Sequence, residues 1–169
     1  MKLRKLKHHD VFAMLSWMKD SDIACYYQFD AATMNDEKAI AFIQQAQSFG
    51  ESRHYAIADE DDEYLGTISL KNIDLKNRNA EYAIGLCKDA IGTGVAAQAT
   101  QAILQIAFEE LGLHKVYLSV FSDNARAIRF YEKQGFIKEG CFTQHVWVRG
   151  KFRDWSWYAI FNEKRMIET

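Results

Sequence analysis

Proline is absent from this 169-residue chain, although average usage of about 5% would supply roughly eight; no functional consequence follows from that gap. Cysteine is scarce. Cys25, Cys87 and Cys141 are odd in number, widely spaced and form no C-x-x-C pair, which points away from a disulfide framework and from a zinc site and fits a reducing, cytoplasmic setting. No hydrophobic run approaches the roughly 20 residues that span a bilayer. The basic start (Lys2, Arg4, Lys5, Lys7) is not followed by an apolar run of signal-peptide length, which disfavours secretion. A dominant charge sign is also missing: Lys and Arg total 21 against 23 Asp and Glu, a net charge of -2, so nothing global favours nucleic acid or a membrane surface as partner. Repeats, low-complexity tracts and Gly/Ser linkers are absent, and a single domain over residues 1–169 is expected.

Apolar residues make up 49% and charged residues 26%, ordinary globular usage. Val11, Met14, Leu15 and Met18 recur at helical spacing, as do Ile40, Ile43 and Gln47, with a less regular stretch over Tyr26 to Thr33 between them. His54 to Ala58 and Tyr64 to Leu70 read as a hairpin around the acidic turn Asp59 to Glu63, and a third strand covers Asn79 to Leu86 after a polar Asn72 to Arg78 connection. From Gly94 a long helix is signalled by Val95, Ala99, Ala102, Ile103 and Ile106, stopped by Gly112. Lys115 to Phe121 alternates as a strand. Asp123 or Asn124 caps a short helix that ends at Gly135, and Phe136 to Val148 with Phe152 to Ile160 forms an aromatic hairpin. The expected fold is α/β (α+β), a mixed sheet with helices on its faces.

The segment Ile84 to Ala97 carries the most chemistry. Gly92 and Gly94 stand between a strand and a long helix, where missing side chains let main-chain N–H groups approach an anion and the helix dipole favours negative charge. The same glycines would also serve a plain tight turn. Gly92-Thr93-Gly94-Val95-Ala96-Ala97 matches the dinucleotide pattern G-x-G-x-x-A, but five residues separate Gly92 from the strand end at Leu86, and no acid follows at the required distance outside the helix. A phosphate-binding P-loop fails for want of Gly-Lys-Ser/Thr.

Ala80-Glu81-Tyr82-Ala83-Ile84-Gly85-Leu86, Gly92-Thr93-Gly94 and Asn124 through Phe136 together resemble the Gcn5-related N-acetyltransferases, in the ribosomal-protein-alanine/spermidine branch (RimL-like). The resemblance covers about residues 54 to 161. It implies a mostly antiparallel sheet of six to seven strands with helices on both faces, splayed at its central strands with Gly85 as a bulge or opening point. It implies acetyl-CoA as co-substrate, with pyrophosphate on the Gly92, Thr93, Gly94, Val95, Ala96 and Ala97 main chain, the pantetheine arm along Ile84 and Leu86, and further contacts from Asn124 and Lys133. Asp89 stands where the family carries Gln or Arg, a position that Lys88 would have to compensate.

Tyr131, seven residues after Asn124 and on the same helical face, is the implied acid for the departing thiolate, which suits a phenol with a pKa near 10. A helix cap (Asn124) and a core aromatic (Tyr131) are the structural alternatives. Ser119 stands where some relatives carry Glu, leaving Glu81, acting through water, as the base. His54, His114 and His145 lack ligand spacing and no metal is expected; Cys87 reads as a small apolar residue.

The acceptor side is expected from the N-terminal helices, the Asn72 to Arg78 connection and the last hairpin, with Trp17, Tyr26, Tyr27, Phe29, Trp147, Arg149, Arg153, Trp155 and Trp157. Arginines suit an acceptor with phosphate or carboxylate, such as an amino-sugar nucleotide, whereas Asp30, Asp36, Glu37 and Asp154 suit a polyamine or a peptide N-terminus. The aromatic set equally fits a hairpin core or a homodimer surface. The competing function is a coenzyme A-binding regulatory domain without turnover, against which stands the pairing of Asn124 with Tyr131.

Overall fold

In the computed structural model the described residues are 1–27 and 33–162. Seven strands form one sheet: β1 (Lys2–Arg4), β2 (Arg53–Ala58), β3 (Tyr64–Asp74), β4 (Asn79–Leu86), β5 (Lys115–Phe121), β6 (Ile137–Val148) and β7 (Lys151–Phe161). They lie in the order β1-β2-β3-β4-β5-β7-β6, and β4–β5 is the parallel pair among antiparallel neighbours. The helices are α1 (Val11–Lys19), α2 (Ser21–Ala24), α3 (Asp36–Gln45), α4 (Val95–Gln105) and α5 (Ala125–Lys133).

Strand alternation sends neighbouring side chains to opposite faces, and two cores result. Tyr55 and Ile57 join Ile68, Leu70, Tyr82 and Ile103 of α4, while Ala56 between them joins Met14, Leu15 and Trp17 of α1 and Ile43 of α3. Helices therefore cover both faces, as expected.

Local chemistry sets the helix ends. Asn35 and Asn124 accept from the N–H of Lys38 and Ala127 at 3.0 and 3.1 Å, filling first-turn donors. Gly112 and Gly135 take positive φ of 63° and 92°. The long helix differs from expectation in its last turn, Ile106–Glu110, which widens to π geometry with Leu111 N–H donating to Ile106 C=O. Two elements lacked a sequence signal: β1, three residues long, and α2, four residues long. Both are too short for periodicity to register. The Asn72 to Arg78 connection is shorter than expected, because β3 continues to Asp74.

The central strands part early. β4 and β5 pair only at Asn79↔Lys115, Ala80↔Val116 and Glu81↔Tyr117. Beyond that point β4 stays paired with β3 through Leu86, and β5 stays paired with β7 through Phe121. Each strand keeps its outer partner, so the sheet opens like two leaves joined at three residue pairs. The opening begins after Glu81 rather than at Gly85, and Gly85 is no bulge, since it pairs in register with Thr67. Its missing side chain has another cause: a Cβ there would stand 2.5 Å from the Trp17 ring.

Candidate active site

The direction of the β4 backbone groups follows from one bond. Cys87 N–H donates to Leu65 C=O at 2.8 Å, so residues alternating with Cys87 (Gly85, Ala83) turn their amides toward β3. Ile84 and Leu86 must then turn theirs the other way, into the opening, where no strand pairs with them. The Ile84 carbonyl accepts a hydrogen bond from the Tyr27 phenol at 2.8 Å. Burial pushes that phenol up to about 12, against the opposing pull of Arg126. Tyr27, expected on the acceptor side, thus reaches the open edge itself; a contact across 57 residues leaves no periodic signal.

At one end of the opening, Gly92 and Gly94 adopt φ of 84° and 89°, a conformation that costs L side chains roughly 1–2 kcal/mol. Nothing lies within 4 Å of the place a Cβ would occupy at either residue. Main chain thus lines open space just ahead of α4, where Val95, Ala96 and Ala97 form the first turn. The arrangement fits a pyrophosphate: donors at a helix N-terminus, with room for the anion against the backbone. Thr93 directs its hydroxyl at Ala90 C=O, 2.7 Å away. Lys88 does not serve this end. Its ammonium lies 3.4 Å from Asp20 and 3.3 Å from Asp22, so two carboxylates on the α2 side hold it and Asp89 is left uncompensated.

Tyr131 sits on the α4 face of the sheet, its ring edge-on to Tyr82 at 6.0 Å and to Phe136 at 5.9 Å. Tyr82 is itself fixed through Thr100 Oγ1 at 2.8 Å. Burial, with a smaller contribution from Tyr27, raises the Tyr131 phenol above its ordinary value. Asn124 starts α5 with its side-chain oxygen used as the cap, and Lys133 is exposed in the last turn.

Glu81 points to the other face, one residue before Tyr82, at the last paired position of β4 and β5. Its oxygens accept from Lys71 Nζ at 2.9 Å and Asn72 Nδ2 at 3.0 Å. Each oxygen keeps a second lone pair, so a proton can be delivered there with both bonds in place. Burial and then Asp89 push the Cys87 thiol up to about 11, which keeps thiolate scarce at neutral pH and disfavours a nucleophilic role.

The aromatic residues expected around an acceptor separate into groups. Trp17 is buried against Tyr64, whereas Trp155 and Trp157 join Tyr117 and Phe142 in a ladder on the sheet. Phe29 and Asp30 lie outside the described residues. Among the described residues no cluster of three His, Cys, Asp or Glu side chains has metal-binding geometry, and no helix is long and apolar enough to cross a membrane.

Comparison with known proteins bears on this geometry. The acetyltransferase (GNAT) domain family matches residues 1–137. A spermidine N(1)-acetyltransferase of Vibrio cholerae is 26% identical over 152 residues, 90% of this chain and 87% of that protein. A probable N-acetyltransferase of Bacillus subtilis, YjcK, is 30% identical over 159 residues, 92% of this chain and 83% of its own length. The fold agrees with the crystal structure of the Vibrio cholerae spermidine N-acetyltransferase in complex with CoA and spermine, at a TM-score of 0.86 and 24% identity over 95% of this chain and 94% of that one. With the family match spanning most of its length, the chain belongs to the GNAT acetyltransferases and is an N-acetyltransferase that draws its acetyl group from acetyl-CoA.

Proposed function

We propose that this chain, acting as a single domain over residues 1–169, moves the acetyl group onto a primary amine of a small molecule or a protein N-terminus by direct attack. The observation that carries the reading is the opening between β4 and β5, with a glycine-lined helix start at one end and the Tyr131 phenol alongside. Acetyl-CoA supplies an activated thioester carbonyl. The chain's residues do the rest. Main-chain N–H groups from Gly92 to Ala96 hold the pyrophosphate, assisted by Asn124 and Lys133, while the Ala97 N–H is donated to Gly94 C=O at 3.1 Å within the turn. The strand edge at Ile84 and Leu86, unpaired with any strand and with Ile84 C=O shared with the Tyr27 phenol, takes the pantetheine amides as an added strand would, and the Leu86 N–H polarises the thioester oxygen. Tyr131 gives its proton to the leaving sulfur. Glu81 receives the amine proton through water, on a lone pair that Lys71 and Asn72 leave open.

The Vibrio cholerae relative is a spermidine acetyltransferase, which supports polyamines as acceptors, and a putative ribosomal N-acetyltransferase of Bacillus subtilis, 31% identical over 62% of this chain, is the reason to test protein N-termini and a RimL-like activity beside them. Three free cysteines suit cytoplasmic residence. Self-association, including a homodimer, is part of the reading: another solved form of the Vibrio enzyme is dodecameric.

The deciding experiment is thiol release from acetyl-CoA against spermidine, an amino-sugar nucleotide, an aminoglycoside and peptides with free N-termini, alongside thermal denaturation. Acetyl-CoA raises the melting temperature by mass action, NADH does not, and at least one amine gives thiol. Coenzyme A binding with no turnover on any amine would assign a regulatory domain instead.

A further inference from the structure

A cavity of about 370 Å³ lies between the end of α2 and the turn of the β6–β7 hairpin, within the size range of small-molecule sites. Cys25 and Tyr26 line one side, Asp123 lies at the foot of α5, and Arg149, Lys151 and Arg153 supply the other side. Its charge is lopsided: three cations face one described carboxylate, and that carboxylate, Asp123, is already paired with Arg153. Asp123 offsets the Arg153 charge, which leaves the charges of Arg149 and Lys151 without a carboxylate among the described residues lining the space. Arg149 donates to Ala24 C=O at 2.8 Å and Arg153 to Cys25 C=O at 3.2 Å, which fixes their positions but cancels no charge. Arg153 also keeps a buried Nε–H with no acceptor among the described residues, a state that costs free energy unless something fills it. Lys151 is exposed and makes no ion pair among the described residues. Asp36, Glu37 and Asp154, the acids that would welcome a polyamine, do not line the space.

Two residues lining the cavity are chain neighbours of residues at the opening. Asp123 directly precedes Asn124, the cap of α5, and Tyr26 directly precedes Tyr27, whose phenol reaches the Ile84 carbonyl in the open edge. An acceptor seated here by an anionic group can extend its amine toward the opening.

We propose that this cavity is the acceptor subsite and that it selects amines bearing a phosphate or carboxylate over polycationic amines. The proposal rests on the transferase reading and names its substrate class. Guanidinium groups present planar, paired donors to such anions, whereas a polyamine would bring several positive charges against an uncancelled positive wall.

The test is calorimetry on coenzyme A-saturated protein with matched probes: glucosamine 6-phosphate against glucosamine for phosphate, a short peptide against its C-terminal amide for carboxylate, and spermidine. At least one anionic probe binds about tenfold or more tightly than its neutral match and than spermidine, and the preference shrinks with added salt. Lys151→Gln removes about tenfold of that preference, as does Arg149→Asn, where Asn tolerates the turn's φ of 51°; binding of the neutral probes is unchanged. Lys151 makes no ion pair among the described residues, so its variant separates lost recognition from lost folding. Tighter binding of spermidine than of both anionic probes, or anion binding untouched in both variants, overturns the proposal. Thiol release is read separately on the same amines. Turnover of spermidine alone would sink the acceptor subsite and leave the transferase standing, whereas selective anion binding with no turnover would do the reverse.

Discussion

A phenol serves as an acid only while it carries its proton and its oxygen has somewhere to deliver it. Tyr131 meets both needs: burial raises its pKa, so the proton stays on throughout the neutral range, and its ring is held by Tyr82 and Phe136 without use of the hydroxyl. Tyr27 differs, since its hydroxyl is spent on the Ile84 carbonyl. Tyr131→Phe keeps the packed ring and removes the proton. Single-turnover acetyl transfer is expected to slow by about 10²- to 10⁴-fold with coenzyme A affinity nearly unchanged. The direction of the shift also fixes the pH profile: a raised phenol pKa places the loss of the acid above the ordinary value of about 10, so the wild-type rate shows no alkaline fall from Tyr131 below that pH. Wild-type chemistry in the Phe variant would make Tyr131 a packing residue.

At the scale of the element, the start of α4 shows how a helix end and two left-handed residues make a receptor for anions. Gly94 combines φ of 89° with open space at its absent Cβ, so conformational strain and ligand exclusion can be separated by choice of side chain. Gly94→Val is expected to lose about 1–2 kcal/mol of fold stability through the left-handed conformation and about a hundredfold in coenzyme A affinity, the worth of one or two charge-assisted hydrogen bonds. Gly94→Asn tolerates the conformation yet still places a side chain in the cradle, and should lose affinity with little change in melting temperature. Calorimetry and thermal denaturation on both variants check this, and unchanged affinity in folded protein would remove the cradle from this loop. Neighbouring charges do not repair a damaged cradle, because Lys88 is drawn to Asp20 and Asp22.

Across the whole molecule, the N-terminal segment is joined to the sheet by ionic contacts around the β2–β3 turn. Asp62 receives Lys7, Lys2 and Arg4, and hydrogen bonds from Lys7 and then Lys2 hold its carboxyl well below the usual range. Arg4 also grips the buried Asp10 at 2.8 Å; burial pushes Asp10 up, but Arg4 and the Lys7 N–H outweigh it and the net shift is downward. A depressed carboxyl pKa contributes stability that is complete above the unfolded value of about 3.9 and is lost as pH falls through the lower folded value. Stability should therefore drop steadily below about pH 4. Asp62→Asn should flatten that limb while changing the melting temperature less at pH 3 than at pH 7. An identical acid limb in the variant would show that other carboxylates govern it.

Local patterns in the chain determined a good deal of this molecule. Strand and helix periods located β4 and β5 at the bounds observed, glycines marked the left-handed ends at Gly112 and Gly135, and the order of motifs gave the family. These features depend on neighbours within a few positions, which a sequence displays directly. Other features were set only by tertiary packing. The split after Glu81 arises because β4 and β5 each follow an outer partner, and Gly85 is small because Trp17 of a distant helix lies against it. Tyr27 meets Ile84 across 57 residues, and Lys88 chooses α2 over the cradle. The cationic cavity exists only because the last hairpin folds back onto the carbonyl end of α2. Such contacts join residues far apart in the chain, where no spacing rule applies and the choice among partners belongs to the assembled sheet.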